Sequence, residues 1–194
     1  MKFNKEEAFT GLEAAIVLIA FVVVAAVFSY VVLGAGFFTT QKAQEVVYTS
    51  VDQASSSIEI LGDVYGLNDT SPADSIDEVR FTVGLTAGGS PVDFSQTTLT
   101  YSDSNNVSKL NLASSTGIVS SVDAGQWGVI RIANSGSSTD LLLENQEQFT
   151  ILVDPIDAIA ANQDFQIQIR PAVGTAYAIE RSAPARITGV NALY

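Results

Sequence analysis

The chain has 194 residues, with 21 acids against nine bases and a net charge of −12. That balance offers no basic patch to neutralise phosphates and argues against nucleic acid, while suiting solubility in a saline exterior. There is no His and no Cys, which removes the commonest general base and metal ligand, argues against hydrolytic triads, and leaves any extracellular domain without disulfides.

The first residues, Met1-Lys2-Phe3-Asn4-Lys5-Glu6-Glu7-Ala8, are charged and end on a small residue. Ala14 to Phe38 then carries no charge, and its one clearly polar side chain is Ser29. Those 25 residues exceed the roughly 20 that cross a bilayer as a helix. A helix apolar on every side belongs in lipid or in a protein assembly that replaces lipid. The run is also longer than the apolar core of an ordinary secretory signal. Gly34-Ala35-Gly36 imitates a signal cleavage site. A short charged leader, with the hydrophobic segment kept after processing at Ala8, fits the order better. Lys2 and Lys5 would hold that leader on the cytoplasmic side.

Thr10 and Glu13 have the spacing of a capping box immediately before the apolar run. A second reading of Glu13 also stands. Cleavage before Phe9 would create an amino terminus able to pair with a carboxylate that is costly at the edge of an apolar helix.

The stretch from Ala8-Phe9-Thr10-Gly11-Leu12-Glu13 through Tyr30, continuing to Gly34-Ala35-Gly36-Phe37-Phe38 and Gln41-Lys42, resembles the start of archaeal flagellins (archaellins). These belong to the wider type IV pilin-like class. The resemblance implies cleavage by a prepilin-type leader peptidase between Ala8 and Phe9, within the motif Ala8, Phe9, Thr10, Gly11, Leu12 and Glu13. The family usually has Gly before the cut, and this chain has Ala8. The resemblance further implies a membrane assembly platform and a cytoplasmic ATPase as partners. It implies a precursor in the cytoplasmic membrane and a product in an extracellular filament.

Beyond Thr40 the chain is polar but keeps a helical stripe that runs through Leu33, Phe37, Thr40, Gln44, Val47, Val51, Ala54, Ile58 and Leu61. This predicts one helix over 9–61, roughly 80 Å long at 1.5 Å per residue, with Gly62 as its C-cap. Residues 62–72 are turn-rich and read as a linker. From residue 73 the period falls to two. Val79, Phe81, Val83 and Leu85 alternate with Arg80, Thr82, Gly84 and Thr86; Phe149, Ile151 and Val153 occupy alternate positions; and Phe165, Ile167 and Ile169 alternate with Gln166, Gln168 and Arg170. Further strands are expected at Leu99 to Tyr101, Trp127 to Ala133, Leu141 to Leu143, and Tyr177 to Ile179. The expected fold class is therefore α+β: a long N-terminal hydrophobic helix, then an Ig-like antiparallel β-sandwich head over 73–194. The segments Phe165 to Pro171 and Ile179 to Pro184 also resemble closing strands of archaellin heads.

No P-loop, dinucleotide turn or zinc spacing is present, and neither a catalytic residue nor a cofactor is assigned. Asp74, Asp77 and Glu78 form the densest acidic cluster, read either as a Ca²⁺ site or, more simply, as a solvated acidic loop. Two glycosylation sequons occur in polar turn regions, at Asn68 and Asn106. Chance sequons are common in a chain this rich in Asn, Ser and Thr, but an extracellular head favours an N-glycan on one of them.

A subunit with its apolar helix out of lipid is insoluble alone. Many copies can bundle these helices through Ile16, Leu18, Ala20, Phe21, Val24, Val27, Phe28, Val31, Gly34 and Phe37, leaving the heads outside. Head-to-tail contacts that do not close generate a filament. The resulting expectation is a structural subunit of a swimming filament. The alternatives are an adhesion pilin, a membrane-anchored extracellular binding domain, and a secreted enzyme, the last disfavoured by the missing His and Cys.

Overall fold

The computed structural model describes residues 5–68, 74–135, 140–144 and 146–194, with side chains from residue 11 onward. It divides into two units, Met1–Thr49 and Ser50–Tyr194. One helix, α1, spans Lys5–Ser55, 51 residues or about 77 Å at 1.5 Å per residue. No proline interrupts the sequence before Pro72, so every amide in this span can join the helical ladder. Residues 11–54 are all exposed.

Both ends of α1 differ from expectation. At the start, Lys5, Glu6, Glu7 and Ala8 are good helix formers and are already helical. Thr10 therefore has helical backbone instead of standing just before the first turn, where the capping-box reading placed it, and its side chain lies outside the described ones. At the far end the helix stops at Ser55 instead of Leu61. Ser55, Ser56 and Ser57 follow one another there, and serine hydroxyls compete with the helical ladder; Ser55 Oγ donates to the Asp52 carbonyl at 3.3 Å. Ile58-Glu59-Ile60 also has a period of two, and pairing with a strand of the head decides its conformation. Gly62 has φ +81° and turns the chain between two strands without capping a helix.

Among the described residues the head contains fourteen strands. In chain order they are β1 Ile58–Ile60, β2 Val64–Leu67, β3 Ser75–Ile76, β4 Glu78–Leu85, β5 Val92–Asp93, β6 Thr98–Asp103, β7 Val107–Leu112, β8 Gln126–Ala133, β9 Leu142–Leu143, β10 Gln148–Asp154, β11 Ile159–Ala160, β12 Asp164–Arg170, β13 Tyr177–Ser182 and β14 Val190–Leu193. The expected linker over 62–72 thus contains β2, and the expected helix contains β1. The two strands lie end to end along one edge of β4, with Ile58 opposite Leu85 and Tyr65 opposite Arg80.

The main sheet runs β13-β12-β6-β7-β8-β10-β4-β2-β14. Its neighbours are antiparallel except β7 and β8, which pair in parallel through Asn111–Gln126 and Leu112–Trp127. That short seam separates two halves whose inner faces supply one hydrophobic cluster. Val79, Phe81, Val83, Phe149, Ile151 and Val153 come from one half, and Leu99, Tyr101, Phe165, Ile167 and Ile169 from the other. The head is the expected antiparallel β-sandwich. Each fully buried aliphatic or aromatic side chain stabilises it by about 1.5–3 kcal/mol relative to exposure. Phe94 bridges the core rings, with centroids 6.4 Å from Trp127 and 5.4 Å from Phe149.

Within the second unit, Ser55 at the end of α1 and Ser56 and Ser57 just past it make short polar contacts with later loops. Ser55 Oγ lies 2.9 Å from Ser90 Oγ, and Ser57 Oγ lies 2.6 Å from Thr86 Oγ1. The Thr175 amide donates to the Ser56 carbonyl at 3.2 Å. At the other end of the chain, the Ser182 amide donates to the Tyr194 carbonyl at 2.9 Å.

Candidate assembly helix and modification sites

The helix presents its apolar residues to solvent on every side. Phe21 is 71% exposed, Phe28 69% and Phe37 63%. Ile16, Leu18, Val24, Val27 and Val31 are comparably open, and Ala20 and Gly34 are exposed between them. Nothing in the first unit covers this surface, whereas the head has closed its own core. An apolar area of this size marks a protein or membrane contact.

Gly34 and Gly36 meet nothing within 4 Å of where a Cβ would stand. The isolated chain therefore gives no steric reason for glycine, which costs about 1 kcal/mol against alanine in a helix. Gly36 lies in a shallow groove with Phe28, Ser29, Val32, Leu33, Phe37 and Thr40. Just beyond, Thr39 Oγ1 donates to the Ala35 carbonyl at 2.8 Å and Thr40 Oγ1 to the Gly36 carbonyl at 2.9 Å. These back-bonds satisfy two hydroxyls inside the helix itself. Of the residues lining this groove, Phe28 and Phe37 are among the expected core residues, Leu33, Phe37 and Thr40 lie on the expected helical stripe, and Val32 was not singled out. Its spacing of three from Ser29 and four from Gly36 was the available signal. Lys42 and Glu45 pair at 2.6 Å where the helix turns polar, both well exposed.

The processing motif lies within the continuous helix. Ala8, Phe9 and Thr10 have helical backbone, and their side chains lie outside the described ones. Gly11, Leu12 and Glu13 are exposed.

The two sequons differ. Asn68 follows β2, is partly buried, and donates its side-chain amide to the Ser75 carbonyl; Asp69 and Thr70 lie outside the described residues. Asn106 is exposed at the turn between β6 and β7, and its amide reaches Asp157 Oδ2 at 3.3 Å. Asp103 organises that turn, its Oδ1 accepting the amides of Asn105 and Asn106, each at 2.7 Å. The Asn105 amide first, and then that of Asn106, hold the Asp103 carboxyl below its ordinary range, against some desolvation. Burial, with Asp103 beside it, pushes the Tyr101 phenol up.

The acidic cluster is dispersed. Asp74 is exposed, while Asp77 Oδ1 accepts from Ser75 Oγ at 3.1 Å. Among the described residues no group of three acidic side chains is arranged to hold a metal ion. Asp154 is instead pushed up to about 6, chiefly by burial and then by the charges of Asp77 and Asp123. Sequence reading did not single out Asp154, because its acidic neighbours are brought together only by the fold.

The model of the family described as archaeal-type flagellin matches residues 8–181. Probable flagellin 1 of Archaeoglobus fulgidus is 45% identical over 200 aligned positions, covering 100% of this chain and 98% of that one. Probable flagellin 2 of the same organism is 39% identical, covering 96% of this chain and 94% of its own. Among solved structures, the archaeal flagellum of Methanospirillum hungatei superposes with a TM-score of 0.71 at 32% identity, over 94% of this chain and 98% of that one.

Proposed function

The chain belongs to the archaeal-type flagellin family, and on that premise we propose how it is matured, held and decorated in its filament. It is a structural subunit of the archaellum, the extracellular swimming filament. The observation that carries the mechanism is the contrast between its two units. The head is closed over its own core, while α1 leaves every apolar side chain from Leu12 to Phe38 uncovered. Neighbouring copies of α1 can cover that surface.

Before assembly the same segment is long and apolar enough to cross a membrane. The precursor sits there with Lys2 and Lys5 on the cytoplasmic side. A prepilin-type peptidase cuts between Ala8 and Phe9, removing four of the chain's charged residues, Lys2, Lys5, Glu6 and Glu7, from the path of the helix into the core. The new amine at Phe9 is placed to pair with Glu13 of its own or a neighbouring copy. Leaving lipid for protein gains little hydrophobic energy, so close packing decides the stability of the bundle. Extraction from the membrane requires external work, supplied by a cytoplasmic ATPase at the assembly platform. The chain performs no catalysis and needs no cofactor in this scheme. Asn68 and Asn106 are its candidate glycan acceptors.

Mass spectrometry of filaments sheared from cells tests the scheme. The mature chain is expected to begin at Phe9, and deletion of the gene is expected to abolish swimming while sparing surface attachment. A chain retained in the membrane fraction with Met1 in place would overturn it.

A further inference from the structure

The hydroxyl of Ser108 is buried and makes no hydrogen bond. A buried polar group without a partner destabilises a fold, so packing supplies no reason for serine at this position on β7. The sequence supplies one: Ser108 is the third residue of the sequon Asn106-Val107-Ser108. An enzyme that reads Asn-x-Ser has to engage this hydroxyl while it holds the acceptor amide.

The folded head offers only half of that pair. Asn106 is exposed, but Ser108 Oγ is closed off from solvent. The backbone between them is committed as well. Val107 lies opposite Ser102 and Ser108 opposite Tyr101 in the β6–β7 ladder. The turn that carries Asn106 is tied to Asp103 through two amides, and the Asp103 amide donates back to the Asn106 carbonyl at 2.9 Å. A transferase would have to unzip the hairpin to read the sequon.

We propose that Asn106 receives its glycan while the β6–β7 hairpin is still open, and that closure of the hairpin then shuts the site by burying the Ser108 hydroxyl. The proposal rests on the reading of Asn106 as a glycan acceptor. In the transfer, Asn106 Nδ2 bonds to the anomeric carbon of a lipid-phosphate-linked oligosaccharide. The bond from that carbon to the phosphate oxygen breaks, the lipid phosphate leaves with the electron pair, and Nδ2 gives up one proton to a base of the transferase. Asn106 is exposed in the folded head and its Nδ2 has only a long bond to Asp157 Oδ2 to give up, at 3.3 Å, so the closed head accommodates the sugar. Modification therefore precedes folding of the head and entry into the filament.

The full chain, made without glycan and held in detergent, tests this order. It is given to membranes carrying an oligosaccharyl transferase and its lipid-linked donor, once folded and once freshly diluted from denaturant. Peptide mass spectrometry reads Asn106. The diluted chain is expected to be modified roughly tenfold more than the folded one, because the folded hairpin opens rarely. Ser108→Thr is expected to keep that difference. Ser108→Ala is expected to accept no sugar in either state, with a head that melts no lower than the parent. Equal modification of folded and diluted parent chains would overturn the order. A lower melting point for Ser108→Ala would overturn the argument that serine is kept for transfer. An unmodified Asn106 in native filaments would overturn the acceptor reading beneath both.

Discussion

Gly174 stands so close to Ser56 that a Cβ on it would lie 2.0 Å from the Ser56 carbonyl oxygen. Its φ of +112° is also one that residues with a side chain rarely adopt. Gly174→Ala is therefore expected to force the loop off the end of α1. The expected loss is about 2 kcal/mol or more of head stability, read as a lower thermal midpoint of the full chain in detergent. Gly62→Ala has open space around it and only its φ of +81° to overcome, so its loss is expected to be smaller, about 1 kcal/mol. Equal losses at the two positions would show that contact with Ser56 is not the constraint.

Gly34 and Gly36 should respond in the opposite sense before and after assembly. In the detergent-solubilised chain, alanine at either position meets no atom and is expected to stabilise the helix by about 1 kcal/mol. In the filament an alanine at position 36, which lines the groove beside Phe28 and Phe37, fills it. The Gly36→Ala filament is expected to dissociate at a lower temperature than the parent, or not to form. A filament of unchanged thermal stability would remove Gly36 from the helix contacts.

Asp154 makes the head acid-tolerant in one respect. Its carboxyl titrates at about 6 when folded against an ordinary value of 3.8. The folded state thus binds the proton more tightly, and stability from this group is lost as pH rises from about 4 to 6. Asp154→Asn removes the titration and the repulsion from Asp77 and Asp123. The difference in unfolding free energy between variant and parent is expected to grow in the variant's favour across that window and to level off above it. A difference that stays constant with pH would disprove the assignment.

Phe94 is expected to be the costliest single truncation in this region of the core. It is fully buried and meets the rings of both Trp127 and Phe149. Phe94→Ala should cost about 3–5 kcal/mol, read by denaturant unfolding. Lys42→Ala serves as a contrast. Its ion pair with Glu45 is exposed, and its loss should change stability by less than about 0.5 kcal/mol.

Period and length carried most of the architecture. The uncharged run Ala14 to Phe38 has no soluble explanation, and β4 and β12 alternate apolar with other residues in sequence, whereas in β10 Leu152 is buried beside Ile151 and Val153. Where two periods overlapped, the sequence was ambiguous. Ala54, Ile58 and Leu61 continue a helical stripe, yet Ile58 and Ile60 also flank Glu59 as a strand, and pairing with β4 resolved it. β7 was hidden differently, because it opens on the last two residues of a sequon and has only three apolar residues, and the polar turn before it looked like loop. The helix surface was legible as a whole. Its groove was not, since a groove depends on which neighbours flank a missing side chain. The burial of the Ser108 hydroxyl was likewise invisible, because it follows from a partner strand, not from its own position in the chain.

The seam between β7 and β8 has a mechanical consequence. Across it the backbone is registered at only two residue pairs, whereas β10 and β4 are matched at six. A rotating filament drags its outer surface through a viscous medium. If the heads face that medium, each is pulled sideways, and within the main sheet this crossing has the fewest matched residue pairs. Resistance to tearing there falls mainly to the interlocked rings and branched side chains beneath, so wear on a spinning filament should begin at the line where one half of the head hands over to the other.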